Sequence, residues 1–193
     1  MELIGVVGRL QVQRASVKLG QRPWRRYDPA PLLCVPAIAV SEAGVVGLRE
    51  DGAPLVDVHN REHPESKHHG HNGLSLGFSS HYSLLRRRFG ARLTDGIAGE
   101  NLLVQTARTF DRADLGAALV LETGAGFVRL QDVRVAEPCV EFSRFALGCA
   151  DPDVNEAALA EALTFLRHGM RGYYATYTGG PSIVRLGDRV YRL

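Results

Sequence analysis

The sequence lacks the features that mark several large classes of protein. None of its apolar runs approaches the roughly 18 residues that a membrane-spanning helix requires. Residues 1–16 show no basic leader followed by a long apolar region, so we expect no signal peptide. The three cysteines, Cys34, Cys139 and Cys149, are too few and too irregularly spaced for a disulfide framework. These absences predict a cytoplasmic protein with no membrane partner.

Neither sign of charge is in excess, because the formal net charge of the 193 residues is only +2. The composition therefore does not suggest a nucleic-acid partner. Lysine is scarce, since Lys18 and Lys67 are the only lysines and the remaining Lys and Arg positions are all arginine. Arginine binds phosphate and carboxylate with a bidentate fork. A bias in genomic base composition explains the same preference equally well.

Short strands between glycine-bearing turns dominate the pattern. Residues 2–13 are rich in β-formers, and Gly5 and Gly8 within them mark expected bends or bulges. Other strands are predicted in 32–48 (broken by Pro36 and Gly44), in 101–106, in a hairpin over 118–135 around Gly124 and Gly126, and as two strands in the tail 173–193.

Two helices accompany the strands. Ser79 or Ser80 is expected to cap a short helix that Gly90 ends. Asp151 or Asp153 is expected to cap a second helix, with Pro152 in its first turn. Its apolar stripe, predicted to pack onto the strands, consists of Leu159, Leu163, Leu166 and Met170. Since no βαβ alternation is visible, the pattern favours a strand-dominated α+β domain resembling a β-barrel with peripheral helices.

A polar stretch, residues 49–73, forms a long loop and gathers possible metal ligands. Zinc and iron sites use histidine and carboxylate ligands. No H-E-x-x-H signature or cysteine pair accompanies them, so a solvated loop is the favoured interpretation and a zinc or iron site the weaker one. The candidate ligands are Asp57, His59, His63, His68, His69 and His71.

Cys139 lies in the stretch "VRVAEPCVEFSR" and is surrounded by charge rather than by apolar residues. A thiolate is the competent nucleophile and metal ligand, and nearby positive charges favour it. Arg134 and Arg144 are close in sequence, whereas Glu137 and Glu141 act in the opposite sense. From this stretch alone, a functional thiol and a small half-buried residue at a strand end are equally good interpretations.

An acid and an amide, Glu100 and Asn101, come directly before an apolar strand in "DGIAGENLLVQ". Together they could hydrogen-bond the edge of a heterocycle, or they could satisfy backbone groups in a local turn. Arginines form a further candidate group for binding phosphate, although neighbouring helical positions cannot all face one way. These arginines are Arg86, Arg87, Arg88, Arg92, Arg167 and Arg171.

Four of these segments recur in the same order in one family. From about Val40 to Leu193 the chain resembles the MOSC domain, named for the C-terminal domain of molybdenum-cofactor sulfurases and also found as small stand-alone bacterial proteins. The matching segments are "HHGHNG" followed by "SSHYSLLRRRFG", "GENLLVQ", "VRVAEPCVEFSR" and "RGYYATYTGGPSIVRLGDRVYRL". The resemblance implies a single MOSC-like domain over residues 1–193, in which strands from residues 1–39 complete the barrel.

The resemblance also implies a chemistry. Cys139 would be the catalytic ligand of molybdenum in a pyranopterin cofactor, in an oxidoreductase that reduces small N-hydroxylated compounds. Cofactor-binding roles are expected for Glu100, Asn101, His69, Gly70, Arg144 and Arg171. An electron-transfer protein or a sulfur donor would then be a partner. Two alternatives stay open: a non-redox module that carries sulfur or cofactor with a Cys139 persulfide, and a metalloenzyme that uses the histidine loop.

Overall fold

The longest strand, β1 (Glu2–Gln13), lies at the centre of the architecture in the computed structural model, which describes residues 1–149 and 155–193. The predicted caps Asp151 and Asp153, and Pro152 of the predicted first turn, lie outside the described residues. The other strands are β2 (Lys18–Leu19), β3 (Arg26–Tyr27), β4 (Leu32–Cys34), β5 (Ala37–Ser41), β6 (Gly44–Leu48), β7 (Pro54–Val56), β8 (Leu74–Phe78), β9 (Leu102–Gln105), β10 (Leu119–Thr123), β11 (Gly126–Val135), β12 (Tyr173–Thr176), β13 (Ser182–Arg185) and β14 (Arg189–Arg192). The α-helices of the described residues are α1 (Ser79–Phe89), α2 (Val140–Leu147) and α3 (Glu156–Leu166), and one 3-10 turn covers Ala113–Leu115.

Seven of these strands close a barrel. The order around the ring is β1-β14-β10-β11-β12-β8-β9, and β9 returns to β1. All neighbours are antiparallel except β8 and β9, which are parallel and are connected through α1. The expected strand-dominated α+β barrel is therefore confirmed. Because β1 lies between β9 and β14, the N-terminal segment is part of the ring.

Bends in β1 occur where the sequence predicts them. The pairing of β1 with β14 shifts register between Leu3 and Gly5, and its pairing with β9 shifts between Val7 and Arg9, on either side of Gly8. Gly5 has a φ of 159°, and a Cβ there would collide with the carbonyl oxygen of Gln105. The long strand can therefore curve enough to pair with two neighbours and, at its far end, with β4.

The barrel interior is filled by apolar side chains that alternate along each strand. On β11, Val128 and Leu130 point inward, and the next inward residue is Val133 rather than residue 132. Asp132 has a positive φ of 48°, and the pairing with β12 shifts register there. A bulge at Asp132 thus explains why the alternation changes phase along this strand.

Two smaller sheets lie beside the barrel. Strands β13, β5, β6 and β7 form an antiparallel sheet, and β2 pairs with β3 in a short hairpin. Residues 49–73, expected to be a loop, contain β7 but are otherwise irregular. The tail supplies three strands, β12, β13 and β14, instead of the two that were predicted.

Helix α2 is a correction to the sequence interpretation, which predicted two helices and ended the strand at Cys139. Cys139 instead occupies the N-cap position of α2, without making a side-chain cap. Phe142 and Ala146, four residues apart, are both fully buried. The ring of Phe142 packs edge-on against Tyr27 of β3 at a centroid distance of 5.1 Å. This helix was missed because eight residues give too few turns for a helical period to stand out.

The other two helices begin differently from the prediction. Helix α1 starts at Ser79, and neither serine caps it: the hydroxyls of Ser79 and Ser80 donate to the carbonyls of Thr106 and Arg108. Helix α3 is capped by Asn155, whose side chain accepts hydrogen bonds from two backbone amides of its first turn. Gly90 does end α1, as expected.

The apolar stripe of α3 is only partly buried. Leu166 is 0% exposed, whereas Leu159, Leu163 and Met170 are half-buried. Helix α3 packs against α2 and, through the rings of Phe165 and Phe89, against α1. Leu166 and Met170 belong to a second apolar cluster beneath the helices, outside the barrel interior, so the predicted packing of the whole stripe onto the strands is wrong. In the described residues, no helix combines the length and hydropathy needed to cross a membrane.

Replacing Leu166 by alanine should lower the free energy of unfolding by about 2–5 kcal/mol, because a fully buried leucine is lost. Leu163→Ala is the matched control on the same helix and should cost less than about half as much, since its side chain is half-buried. Urea unfolding of both variants measures the difference. Equal losses would show that the two positions pack alike.

Candidate functional site

A cavity of about 480 Å³, which we call the main cavity, lies at one end of the barrel. Its volume falls within the range of small-molecule sites. The end of β1, the loop after β7, the turn before β9 and the start of β12 all contribute to its wall. The lining residues with side chains capable of hydrogen bonding are Gln13, Ser16, Lys18, Arg25, His59, Lys67, His69, Asn72, Ser75, Glu100, Arg171, Tyr173 and Tyr174.

Cationic groups dominate this lining. Both lysines of the chain, Lys18 and Lys67, line the main cavity, together with Arg25 and Arg171. Glu100 is the one carboxylic acid among the lining residues. A concentration of positive charge in a concave site attracts anions. The cavity therefore has the electrostatics of a site for an anionic small molecule.

Glu100, expected at the cofactor, lines the main cavity and is 5% exposed. The hydroxyl of Tyr82, on α1, lies 2.8 Å and 3.0 Å from its two carboxylate oxygens. Gly77 leaves room for the carboxyl group, since a Cβ there would lie 2.7 Å from Glu100 Oε1. Burial raises the pKa of Glu100, against the opposing effects of the Tyr82 hydrogen bond and Arg171. The site thus favours the neutral acid more than water does.

Arg171 lies beside Glu100, and its Nε has no hydrogen-bond partner among the described residues. One terminal nitrogen reaches the carbonyl of Ala98 at 3.4 Å, and the guanidinium lies 5.7 Å from the ring centre of Phe142. Burial alone would lower the pKa of Arg171, but Tyr174, Cys139 and other negatively ionising groups raise it overall. Arg171 is therefore a cation of the cavity wall that carries one buried N–H without a partner among the described residues.

Asn101, the amide of the predicted pair, does not line the main cavity. It is 1% exposed, and its side-chain nitrogen donates to Asp57 Oδ2 at 2.8 Å. Its side-chain oxygen accepts from the backbone and the hydroxyl of Ser75. Asn101 thus forms part of the polar layer below the cavity, where it joins the start of β9 to β8.

Asp57 and His59 form a pair that sequence reasoning identified only as possible metal ligands. Asp57 is 0% exposed, and its carboxylate accepts from Gln13 N, Asn101 Nδ2 and His59 N. The imidazole Nδ1 of His59 lies 3.1 Å from Asp57 Oδ1, and the ring lines the main cavity. The signal in the sequence that could have indicated this pair is the Asp-x-His spacing directly after β7.

Cys139 is half-buried and opens on a second cavity of about 640 Å³, which we call the thiol cavity. Arg144, one of the expected cofactor ligands, also lines it. Lys18 and Arg25 line both the thiol cavity and the main cavity, so the two are neighbours. The structure therefore divides the expected site residues: Cys139 and Arg144 lie on one side of Lys18 and Arg25, and Glu100, His69 and Arg171 on the other.

Glu141, in the first turn of α2, holds the wall between the two cavities. It is 6% exposed and forms ion pairs with Arg25 and with Lys18, the latter at 3.8 Å. Burial by itself raises the pKa of Glu141, but its backbone amide, Arg25, Lys18 and Cys139 lower it overall. The hairpin of β2 and β3, which carries these two cations, is thereby fastened to the helix that follows Cys139.

The histidines of residues 49–73, which we call the histidine loop, line different cavities. His69 lines the main cavity, and its backbone amide donates to Asn72 Oδ1 at 2.6 Å. Gly70 and His68 line a separate cavity of about 230 Å³. Across residues 1–149 and 155–193, no three His, Cys, Asp or Glu side chains come together to form a metal site.

The arginines of the helices are mostly engaged elsewhere. Arg86 pairs with Asp95, and Arg88 pairs with Glu161 while lying over the ring of Phe165. Arg92 donates to the carbonyls at the end of α2. Of the six arginines considered from the sequence, only Arg171 lines the main cavity within the described residues.

Comparison with solved structures shows which proteins share the fold of this chain. The YUAD protein of Bacillus subtilis matches with a TM-score of 0.61 over 96% of this chain and 93% of that one, at 12% sequence identity. The fold is of the MOSC type. YiiM from Escherichia coli shares this MOSC-type fold with a TM-score of 0.50, over 83% of this chain and 64% of that one, at 14% identity. No family model and no curated protein sequence matches the chain.

Glu100→Gln should change stability in a pH-dependent way. The pKa of Glu100 is raised in the folded protein, so the parent loses stability as pH rises above about 4.5, the ordinary value. Glutamine still accepts from Tyr82 but carries no charge, so the melting temperature of the variant relative to the parent should rise between pH 4.5 and pH 7.

Glu141→Gln provides a control of opposite sign. The lowered pKa of Glu141 means that its ion pairs stabilise the fold above about pH 4.5 and cease to do so as pH falls below that value. This variant should be less stable than the parent at pH 7 and converge with it in acid. Melting curves that shift in parallel for both variants across this range would contradict the assigned ionisation states.

Proposed function

We propose that the chain is a molybdenum-cofactor-dependent oxidoreductase that reduces small N-hydroxylated compounds, with Cys139 as the ligand of the metal. The observation that carries the proposal is a half-exposed thiol next to two adjoining cation-lined cavities. The MOSC-type fold and the order of the motif segments support it. A pyranopterin that carries an anionic phosphate matches this combination of sulfur donor and positive charge.

The donor set suits the metal. Thiolate is a soft ligand of the type that molybdenum accepts beside the sulfurs of the pterin. Cys139 is positioned by Pro138 before it and by α2 after it, so its backbone is fixed by a defined helix start. When bound, the cofactor would supply the two-electron chemistry at the metal. The role of the chain is then to bind it and to position the substrate.

Charged side chains of the wall would hold the anionic part of the cofactor. Lys18 and Arg25 line both cavities, and Arg171 lines the main cavity. Bidentate arginine contacts to phosphate are among the stronger hydrogen bonds in proteins. The carboxylates nearby do not oppose an anion fully, because Glu141 is paired with Arg25 and burial favours the neutral form of Glu100. The residues present therefore fit the group.

Reduction of a substrate requires electrons from a second protein, so an electron-transfer partner is part of the proposal. A cytoplasmic location is also part of it, because a reducing compartment keeps Cys139 as a thiol. The alternative is a sulfur carrier, in which Cys139 holds a persulfide and no redox partner is needed. The half-exposed thiol suits both functions, so the metal content must separate them.

The decisive experiment is to purify the full chain from a host that makes the molybdenum cofactor and to measure molybdenum and pterin per chain. We expect near-stoichiometric amounts of both in the parent. Cys139→Ser should lose molybdenum with little change in melting temperature, because a half-exposed thiol contributes little packing. Cys149→Ser is the matched control and should retain the metal.

Sulfane sulfur on Cys139 without molybdenum would support the carrier function instead. Zinc or iron that is lost on replacing His59 and His69 would favour a metalloenzyme. Molybdenum retained by Cys139→Ser would contradict the ligand assignment.

Alkylation of the cofactor-free chain checks the environment of the thiol. The thiol cavity carries Lys18, Arg22, Arg25 and Arg144, so it should attract an anionic reagent. We expect the ratio of iodoacetate to iodoacetamide rates to be several-fold higher at Cys139 than at the exposed Cys34, and the excess to fall with added salt. Equal ratios at the two cysteines would mean that the charges do not act on the sulfur.

A further inference from the structure

The Asp57–His59 pair is a built feature of the main cavity that the proposed function does not use. Asp57 is completely buried, and its two oxygens are engaged by Gln13 N at 2.7 Å, Asn101 Nδ2 at 2.8 Å, and His59 N at 2.8 Å. These donors come from β1, from the residue before β9 and from the loop itself. The carboxylate is therefore fixed from three directions before the imidazole is considered.

The loop that carries His59 is equally constrained. The backbone amide of Val58 donates to Gln13 O at 2.8 Å, and the Val58 side chain is 0% exposed. Asn60 is 1% exposed, and its side-chain nitrogen donates to Val45 O at 3.3 Å. His59 thus lies between two buried residues that are tied to β1 and β6, and its own side chain is 22% exposed at the cavity. Such an arrangement fixes the direction of the ring.

The pairing determines which ring nitrogen is available. An ionised carboxylate can only accept hydrogen bonds, so the Nδ1 of His59, 3.1 Å from Asp57 Oδ1, must carry a hydrogen. In a neutral imidazole, Nε2 is then the nitrogen with a lone pair. No described residue hydrogen-bonds His59 Nε2, whereas His63 Nε2 is 3.1 Å from Arg14 O. The acceptor nitrogen of His59 is therefore free for a ligand of the cavity.

We propose that His59 is the proton-transfer residue of the main cavity and acts on a small oxygen acid bound there. The O–H bond of the acid breaks, an N–H bond forms at Nε2, and the electron pair stays on the oxygen. Lys18, Lys67 and Arg171 face the resulting oxyanion, and Asp57 faces the imidazolium. The reverse transfer returns the proton, so no other reactant is required. Asp57 acts through His59 as a positioning residue.

The other ionisable groups of the main cavity are less suited than His59 to transfer a proton. His69 lines the same cavity, but no carboxylate among the described residues pairs with its ring. Glu100 is bound by Tyr82, and Tyr174 lies by Arg171. His59 is thus the imidazole of the cavity that has a buried anion behind it. The ligand class follows from the same lining: a small phosphate or another oxyacid that changes protonation near neutral pH.

Nitrogen-15 magnetic resonance of the cofactor-free full chain tests the proposal, with His59→Gln used to assign the His59 resonances and inorganic phosphate as the probe. We expect the Nδ1–H tautomer at His59, and a shift of its Nε2 resonance when phosphate is added. His59→Gln should weaken phosphate binding about tenfold or more. His63→Gln, in the same loop, should leave it unchanged within about twofold. Asp57→Asn should abolish the tautomer preference.

Three results would overturn the proposal. These are an Nε2–H tautomer at His59, phosphate that shifts the amides of Lys67 and Gly99 but not His59 Nε2, or no response of any cavity resonance to phosphate. Stoichiometric zinc bound at His59 Nε2 would likewise replace proton transfer with a metal site. Since these measurements use cofactor-free protein, a missing molybdenum cofactor leaves their outcome unchanged. Should Asp57→Asn fail to fold, the parent and His59→Gln still decide the question.

Discussion

The buried carboxylate of Asp57 is the interaction on which the main cavity depends. A charge without solvent access is costly unless hydrogen bonds replace the lost water. Here the donors come from β1, from the amide side chain just before β9 and from the loop that follows β7. Burying this one group therefore requires that three segments far apart in sequence meet at one point. The loop is rigid at its start because the charge cannot be left unsatisfied.

The charged side chains around the main cavity form two layers. The inner layer has carboxyl groups in different surroundings: burial raises the pKa of Glu100, and Glu141 is held in ion pairs. The outer layer consists of cations: Lys18 and Arg25 pair with Glu141, whereas Lys67 and Arg171 form no ion pair among the described residues. A chain whose total charge is almost zero can thus line one cavity with more cations than carboxyl groups, because both of its lysines lie at this place.

The fold was largely predictable from the sequence, since alternation and turn glycines report strands directly. Gly5 and Gly8 identified the bends of β1, and the hairpin around Gly124 and Gly126 was found in place. Helix α2 was missed because it is short and only four residues separate it from the end of the preceding strand. Local patterns carry no information on barrel closure, because β1 pairs with β14 at the opposite end of the chain. Closure was expected only from the resemblance to the MOSC domain.

The candidate site was predictable in its residue types but not in its grouping. Glu100 and Arg171 line one cavity, while Asn101, next in sequence to Glu100, is buried outside it and donates to Asp57. Adjacent residues at the start of a strand point to opposite faces, so two neighbouring residues of one sequence motif can lie in different environments. His59 could not be singled out from the sequence, because it is one of six candidate ligands in residues 57–71. Only its contact with the buried carboxylate of Asp57 distinguishes it.

The hairpin of β2 and β3 has a further consequence for how this architecture can diversify. Among the described strands its two strands pair only with each other, and side chains hold it to α2: Glu141 pairs with Lys18 and Arg25, and Phe142 packs against Tyr27. Insertions or replacements in this hairpin leave the hydrogen bonds of the barrel unchanged, but they move the wall between the main cavity and the thiol cavity. The volume of the two cavities therefore depends on a peripheral segment as well as on the barrel, and changes in this segment can alter which small molecules fit while the barrel strands stay the same.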